Sequence, residues 1–227
     1  MNKIKDKVTV IIRTRNEERW VGHAIQSILD LIYKPEIIII DNNSTDETLN
    51  IVGYFIQDPI LKGNNKNYTD IKIHKISQYT PGKSINLGVK KARNSIVMIM
   101  SAHCQLKKMN LKKHIKDLKK YACIFGKQNP IYQGKNITKR YIWSHFKDKE
   151  KINMFSEFEN RYFLHNALAI YNKKFLTKYP FNEKLVGKED REWVNNIIKK
   201  KQLTLYDPSL EAIHHYTPDG NTWKGIE

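Results

Sequence analysis

Cysteine is scarce in this chain. Cys104 and Cys123 are the only two among 227 residues. They form no CxxC pair and no zinc-ligand spacing, which argues against a disulfide scaffold or a structural zinc fold. A reduced intracellular compartment is the economical expectation. Long hydrophobic runs are also missing, since nothing approaches the ~20 residues that a membrane-spanning helix requires. Residues 1–7 are charged and contain no apolar h-region, so no secretory leader is expected. The expected location is cytoplasmic, soluble or peripheral at the inner face of a membrane. Internal repeats and low-complexity segments are absent too.

Acidic residues are few relative to basic ones, 23 against 40, for a formal charge of +17. Such a balance suits an anionic partner: a nucleotide diphosphate, a lipid phosphate, an acidic membrane or nucleic acid. Nucleic-acid binding would call for a recognisable module or an aromatic–basic platform, and none is visible. The lysine runs Lys112-Lys113 and Lys199-Lys200-Lys201 fall in helix-like stretches and read as solvated faces. What is present in quantity is apolar and aromatic matter, 40% hydrophobic with 12 Tyr and 8 Phe, enough for a packed core and too much for a disordered chain.

Periodicity orders the first half clearly. Residues 8–12 (VTVII), 37–40 (IIII) and 96–100 (IVMIM) are unbroken apolar runs, as expected of buried parallel strands. Residues 71–74 read as a short strand. Between them, Val21, Ala24, Ile25, Ile28 and Ile32 recur at helical spacing, and 83–92 is a second helix. Ser44-Thr45-Asp46-Glu47 reads as a capping box opening a helix to about residue 54, followed by a polar loop over 57–68. The alternation implies an α/β fold with a mainly parallel sheet. Later, 111–120 reads as a basic helix, 122–125 as a strand and 126–130 as a loop. Residues 137–158 read as helical in pieces, 167–171 and 203–206 as strands, and 188–200 as a helix.

In parallel α/β sheets ligands sit beyond the carboxyl ends of the strands. Three such ends stand out: Arg13-Thr14-Arg15-Asn16-Glu17, Asp41-Asn42-Asn43-Ser44 and Ser101-Ala102-His103. Each also has a bland explanation as a helix start or turn cap. Gly82-Lys83 opens a helix whose N-terminus would favour an anion, and a solvated Lys83 is the plainer alternative. Glu189-Asp190 opens the last long helix, where the macrodipole favours carboxylates whatever their task. The loop after the first strand has no glycine, which speaks against a sugar nucleotidyltransferase.

In order, VTVIIRTRNEERWVGHAIQSI, IIIIDNNSTDET, PGKSINLGVKKA, IVMIMSAHC and FNEKLVGKEDREW resemble glycosyltransferase family 2. The resemblance runs from about residue 8 to residue 215. It implies a GT-A fold forming a single domain, with a Rossmann-like nucleotide-sugar half (1–106), an acceptor and catalytic half (107–215) and a C-terminal tail (216–227). It implies an inverting enzyme that moves a sugar from a nucleoside diphosphate sugar to a hydroxyl of a glycan or lipid-linked glycan, in surface polysaccharide biosynthesis. Asp190 is then the base, with Glu189 orienting its surroundings. Arg13, Thr14, Arg15, Asn16, Glu17, Asp41, Lys83, Asn86, Ser101 and Ala102 line the donor. Gln128, Asn166, Ala167 and Trp193 fall on the acceptor side, with Trp143, Tyr162 and Trp223 as further rings able to stack on sugars.

The departure from the family lies at the third strand end. Its Asp-x-Asp, which would hold a cation on the leaving diphosphate, is here Ser101-Ala102-His103. The stretch is similar to the Asp-x-His-Cys of polypeptide N-acetylgalactosaminyltransferases, where a second, C-terminal histidine completes the site. That likeness implies a divalent metal, Mn2+ or Mg2+, on His103 with His214 or His215, the nitrogen favouring Mn2+. The alternative to a metal is that His103 hydrogen-bonds the phosphates directly; the alternatives to the enzyme are a catalytically inactive nucleotide-binding module and a basic nucleic-acid-binding protein. The charge also allows peripheral contact with anionic lipid, and the tail reads as a lid over the donor or a membrane-proximal segment.

Overall fold

The fold comes from a computed structural model, which describes residues 7–57, 70–137, 140–218, 220 and 223. Its first half alternates strand and helix: β1 (Val8–Thr14), α1 (Val21–Leu31), β2 (Glu36–Asp41), α2 (Thr48–Gln57), β3 (Asp70–Lys75), α3 (Pro81–Lys91) and β4 (Ile96–Ser101). The four strands are parallel neighbours in the order β3-β2-β1-β4. Successive side chains leave opposite faces of the sheet. Val10, Ile12, Ile37, Ile39 and Met98 share one core with Ala24, Ile25 and Ile28 of α1. Ile11, Ile38, Ile40, Val97 and Ile99 share the other with Ile85 and Val89 of α3. Both faces are covered, so the strands read as continuous apolar runs rather than alternating ones. Each such isoleucine contributes about 1.5–3 kcal/mol through burial.

The second half contributes β5 (Cys104–Lys108), α4 (Leu111–Asp117), β6 (Cys123–Tyr132), β7 (Lys135–Asn136), a 3-10 turn (Tyr141–His145), β8 (Lys151–Ile152), β9 (Phe155–Ser156), β10 (Arg161–Tyr162), β11 (Leu168–Asn172), α5 (Lys173–Lys178), α6 (Glu189–Lys199) and β12 (Thr204–His215). The sheet continues β4-β11-β6-β12-β5. β11 runs antiparallel to both β4 and β6, while β12 lies parallel to β6 and antiparallel to β5. The result is a mixed sheet, parallel across β3-β2-β1-β4, with helices on both faces.

Several local expectations change. Residues 126–130 are not a loop but part of β6. β11 pairs only as far as Phe125, so beyond it one edge of β6 is free until β7, and Pro130 costs no ladder bond there. The strand expected at 203–206 continues to His215, through an irregularity between Asp207 and Glu211. Ser44 does not cap α2. Its hydroxyl donates to Asp41 Oδ1 at 2.6 Å, and Asp46 Oδ1 accepts from Thr48 N at 3.0 Å instead. Residues 137–158 give one 3-10 turn and two short strands rather than helices. The loop expected over 57–68 lies, beyond Gln57, outside the described residues. Lys113 is no solvated face. It bonds Asp207 and pairs with Glu150 at 2.9 Å and Asp117 at 3.2 Å, beside the buried His114.

Candidate active site

The ends of β1 and β2 are laced together. Thr14 donates its hydroxyl to Asp41 Oδ1 at 2.9 Å, and Asp41 Oδ2 accepts from Ser44 N at 3.1 Å. Asn16, at a φ of 53°, accepts from Thr45 N at 2.9 Å and donates its own N–H to the Ser44 hydroxyl at 3.0 Å. Short polar residues tolerate this left-handed backbone and cap it locally. Asp41 is fully buried and both its oxygens are engaged, so it fixes the loop geometry from within. Arg15 is exposed beside it.

The β1 loop then delivers Glu17 to His103. Glu17 is 8% exposed, and its Oε1 lies 2.7 Å from His103 Nδ1. His103 follows Ser101 and Ala102 at the end of β4. Its ring sits 4.9 Å from the ring of His214, near the end of β12. His214 is fully buried; its Nδ1 meets Gln128 Oε1 at 2.7 Å, and the same amide's Nε2 meets His165 Nδ1 at 2.8 Å. Trp143 and Trp223 cover His214 edge-on at 5.4 and 5.5 Å. Burial above all, with the neighbouring histidines, pushes His214 well below the ordinary imidazole value, so it stays neutral. Burial, then Arg191, lowers His165 to about 3.

The carboxylates arrive from α6. Glu189 lies 3.7 Å from the Arg13 guanidinium at the end of β1. Burial and the adjacent Asp190 raise its carboxyl to about 7, against the pull of Arg13. Asp190, 7% exposed, accepts at Oδ2 from Arg191 Nη1 at 3.0 Å and from Asn166 N at 3.3 Å. Arg191 is itself buried. It pairs with Glu159 at 3.2 Å, donates to the Leu164 carbonyl and lies over the Phe163 ring at 4.2 Å. Lys188, in left-handed geometry at a φ of 61°, turns the chain into this first helical turn.

Buried side-chain atoms without a partner gather here. Among the described residues they are Arg13 Nε, Glu17 Oε2, Trp143 Nε1, Asn166 Nδ2, His214 Nε2 and Trp223 Nε1, with His114 Nδ1 alone lying elsewhere. Each unsatisfied group costs about 1–3 kcal/mol, and a ligand or water that bonds it removes that cost.

Three residues expected in the site have other tasks. His215 donates its backbone N–H to the His103 carbonyl at 2.8 Å, but its ring does not join that of His103. Neighbouring residues on a strand leave opposite faces, and His215 stacks on Trp20 at 3.9 Å, lining a separate cavity of about 280 Å³ with Tyr132 and Tyr216. Trp193 is core: its ring stacks on Phe181 at 5.3 Å and its N–H donates to the Tyr179 carbonyl at 2.7 Å. Asn86 spends its amide on Phe181 N, the Phe181 carbonyl and Glu183, tying α3 to segment 181–183. Lys83 is half-buried and reaches Gln78 at 3.1 Å, and Ala167 offers its carbonyl to Ser101 N at 3.0 Å. Sequence reasoning missed Arg191 and Glu159. Arg191 directly follows the Glu-Asp pair, and its burial could have been suspected from the apolar spacing of Val194 and Ile197.

The model of glycosyl transferase family 2 matches residues 9–179. The chain belongs to that family. It is 26% identical over 208 residues to the GalNAc(5)-diNAcBac-PP-undecaprenol beta-1,3-glucosyltransferase of Campylobacter jejuni, a match covering 88% of this chain and 62% of that one. The chain therefore spans less than two thirds of the length of this curated relative. Among solved structures, residues 1–349 of Staphylococcus aureus TarS with UDP-GlcNAc superpose with a TM-score of 0.69 at 18% identity, over 96% of this chain and 61% of that chain. GalNAc-T7 with UDP, GalNAc and Mn2+ gives 0.66 at 16% identity, over 96% of this chain and 45% of that chain. These structural likenesses show the GT-A fold.

Proposed function

We propose that this family 2 chain is an inverting glycosyltransferase. It takes a sugar from a nucleoside diphosphate sugar and delivers it to a hydroxyl of a lipid-linked glycan in surface polysaccharide biosynthesis. The observation that carries the reading is the gathering of unsatisfied buried atoms beside Asp190, at the carboxyl ends of β1 and β4. Family membership, and a Campylobacter relative whose name specifies an undecaprenol-linked acceptor, support the same reading.

Asp190 takes the proton of the acceptor hydroxyl as its oxygen attacks the anomeric carbon. The bond from that carbon to the diphosphate breaks on the opposite face, and configuration inverts. The Arg191 fork and Asn166 N hold the carboxylate in place. Arg13 and Arg15 supply positive charge on the donor side, and Glu189 sets the position of Arg13.

A divalent cation fits His103 and His214. Both are imidazoles in contact, and His214 Nε2 is a buried nitrogen with no partner. No three His, Cys, Asp or Glu side chains among the described residues gather as a full cation cage. Two nitrogens from the protein therefore leave the remaining positions to oxygens, and nitrogen ligands disfavour Mg2+. When bound, the ion would neutralise charge on the leaving diphosphate. The Mn2+ in the GalNAc-T7 structure is in keeping with this.

Thermal-shift titration against a panel of nucleoside diphosphate sugars, with and without Mn2+, tests donor binding, because a ligand that binds the native state raises its stability. Transfer with the donor so found should disappear in Asp190→Asn while the thermal shift persists. Near-wild-type turnover in that variant removes Asp190 as the base.

A further inference from the structure

The buried polar chain around His103 and His214 has a direction. A carboxylate only accepts hydrogen bonds, so the 2.7 Å contact of Glu17 Oε1 requires His103 to carry its proton on Nδ1. The amide oxygen of Gln128 likewise only accepts, so the 2.7 Å contact requires the proton of His214 on Nδ1 as well. The other end of the same amide donates to His165 Nδ1 at 2.8 Å, which sets His165 in the opposite tautomer. Neutral imidazole has one donor and one acceptor nitrogen. Both His103 and His214 are thus left with the lone pair on Nε2, and that of His214 is buried without a partner.

We infer that Glu17 and Gln128 are positioning residues for a cation. They fix the Nδ1–H tautomer of His103 and His214 and leave both Nε2 lone pairs free to bind metal. Metal-binding imidazoles commonly donate their second N–H to such an outer partner, which orients the ring and raises its basicity. Gln128 is held at its far end by His165, which burial keeps as an uncharged acceptor. Glu17 is held through its backbone N–H, which donates to the Thr48 hydroxyl at 2.7 Å. The α2 terminus and β6 therefore set the metal site without touching the metal. This rests on the metal reading above, though its first test needs no metal.

Long-range 1H–15N correlation spectra of the metal-free protein labelled in its histidines should show His103 and His214 as Nδ1–H tautomers and His165 as Nε2–H. Gln128→Leu should release His214 from that tautomer, and Glu17→Leu should release His103. Mn2+ titration, followed by loss of the free-ion EPR signal, should weaken about 10–100-fold in either variant. Gln128→Glu, which still accepts from His214, should restore it. The inference falls if either His103 or His214 is an Nε2–H tautomer in the wild type. It also falls if the two leucine variants, folded by circular dichroism, bind Mn2+ like the wild type. Wild-type protein that binds no Mn2+ overturns it together with the metal reading. Absence of sugar transfer with Mn2+ bound would instead count against the proposed reaction.

Discussion

Arg13 and Glu189 meet across the two halves of the fold, at 3.7 Å, one at the end of the first strand and the other in the first turn of the last helix. The pair is nearly out of water, and Glu189 also faces Asp190. Burial and that neighbour raise its carboxyl to about 7, while Arg13 pulls the other way. In the unfolded chain the same group titrates near 4.5. The native state thus binds the proton more tightly, and its advantage is complete below about pH 4.5. It is lost as pH rises through about 7. Glu189→Gln should therefore stabilise the protein at pH 8 by on the order of 1–3 kcal/mol and leave stability near pH 4.5 little changed. Melting temperatures of both proteins across pH 4.5–8 check this, and parallel curves would contradict it.

His165 gives the opposite slope. Burial, then Arg191 and the nearby Arg13 and His103, depress it to about 3, with Asp190 opposing. Unfolded, it protonates near 6.5. Stability from this group is whole above about pH 6.5 and falls as pH drops towards 3. His214, buried and depressed for the same reason, adds to it. His165→Gln keeps an acceptor for the Gln128 amide and removes the titration. Its acid limb, followed by circular dichroism between pH 7 and 4, should be shallower than that of the wild type.

Arg191 is the hub of the polar cluster around Asp190. One guanidinium serves Asp190, Glu159 and the Leu164 carbonyl, and lies over Phe163. Arg191→Leu would leave the buried Asp190 without its cation, while Glu159 keeps Arg161, and breaking a buried pair from one side costs about 3–5 kcal/mol. Arg191→Lys keeps the charge but cannot reproduce the fork. It should fold, bind donor normally and lose most of its kcat, with the pH dependence of kcat displaced because Asp190, the proposed base, has lost its side-chain hydrogen bond. Unchanged kcat in that variant would mean that the backbone N–H groups of Asn166 and residue 191 suffice to position Asp190.

The parallel half of the fold was legible because each strand is buried on both faces, which writes continuous apolar runs such as IIII at 37–40 into the sequence. The strand-end clusters were legible for the same reason: they interrupt those runs. The second half was not. β6 carries Gly126 and Pro130, which locally signal a turn, and over 126–130 it is the pairing with β12 that makes it a strand. Lys113 reads as a surface residue until β12 brings Asp207 against it. His214 and His215 are indistinguishable as neighbours in sequence. Which one meets His103 depends on the parity of a strand whose register shifts between Asp207 and Glu211. Gln128 carries no local sign of its role, which exists only because two histidines from distant segments flank it.

Gly88 tests how closely the parallel half of the fold is packed. It lies in α3 where that helix crosses β1, and a Cβ added there would stand 2.6 Å from Cγ2 of Ile11 and 2.8 Å from its Cδ1. Ile11 is wholly buried between the β1 neighbours and α3, so it has no room to yield. Alanine elsewhere in a helix would gain roughly 1 kcal/mol over glycine. Here overpacking of about 1–3 kcal/mol outweighs that gain. Gly88→Ala should lower the urea midpoint, because α3 must lift from the sheet or Ile11 must leave its rotamer. Gly88→Ala with Ile11→Val should recover part of the loss, since valine removes the Cδ1 that stands 2.8 Å from the added carbon. A double variant no more stable than Gly88→Ala would place the conflict in the helix backbone instead of the Ile11 side chain.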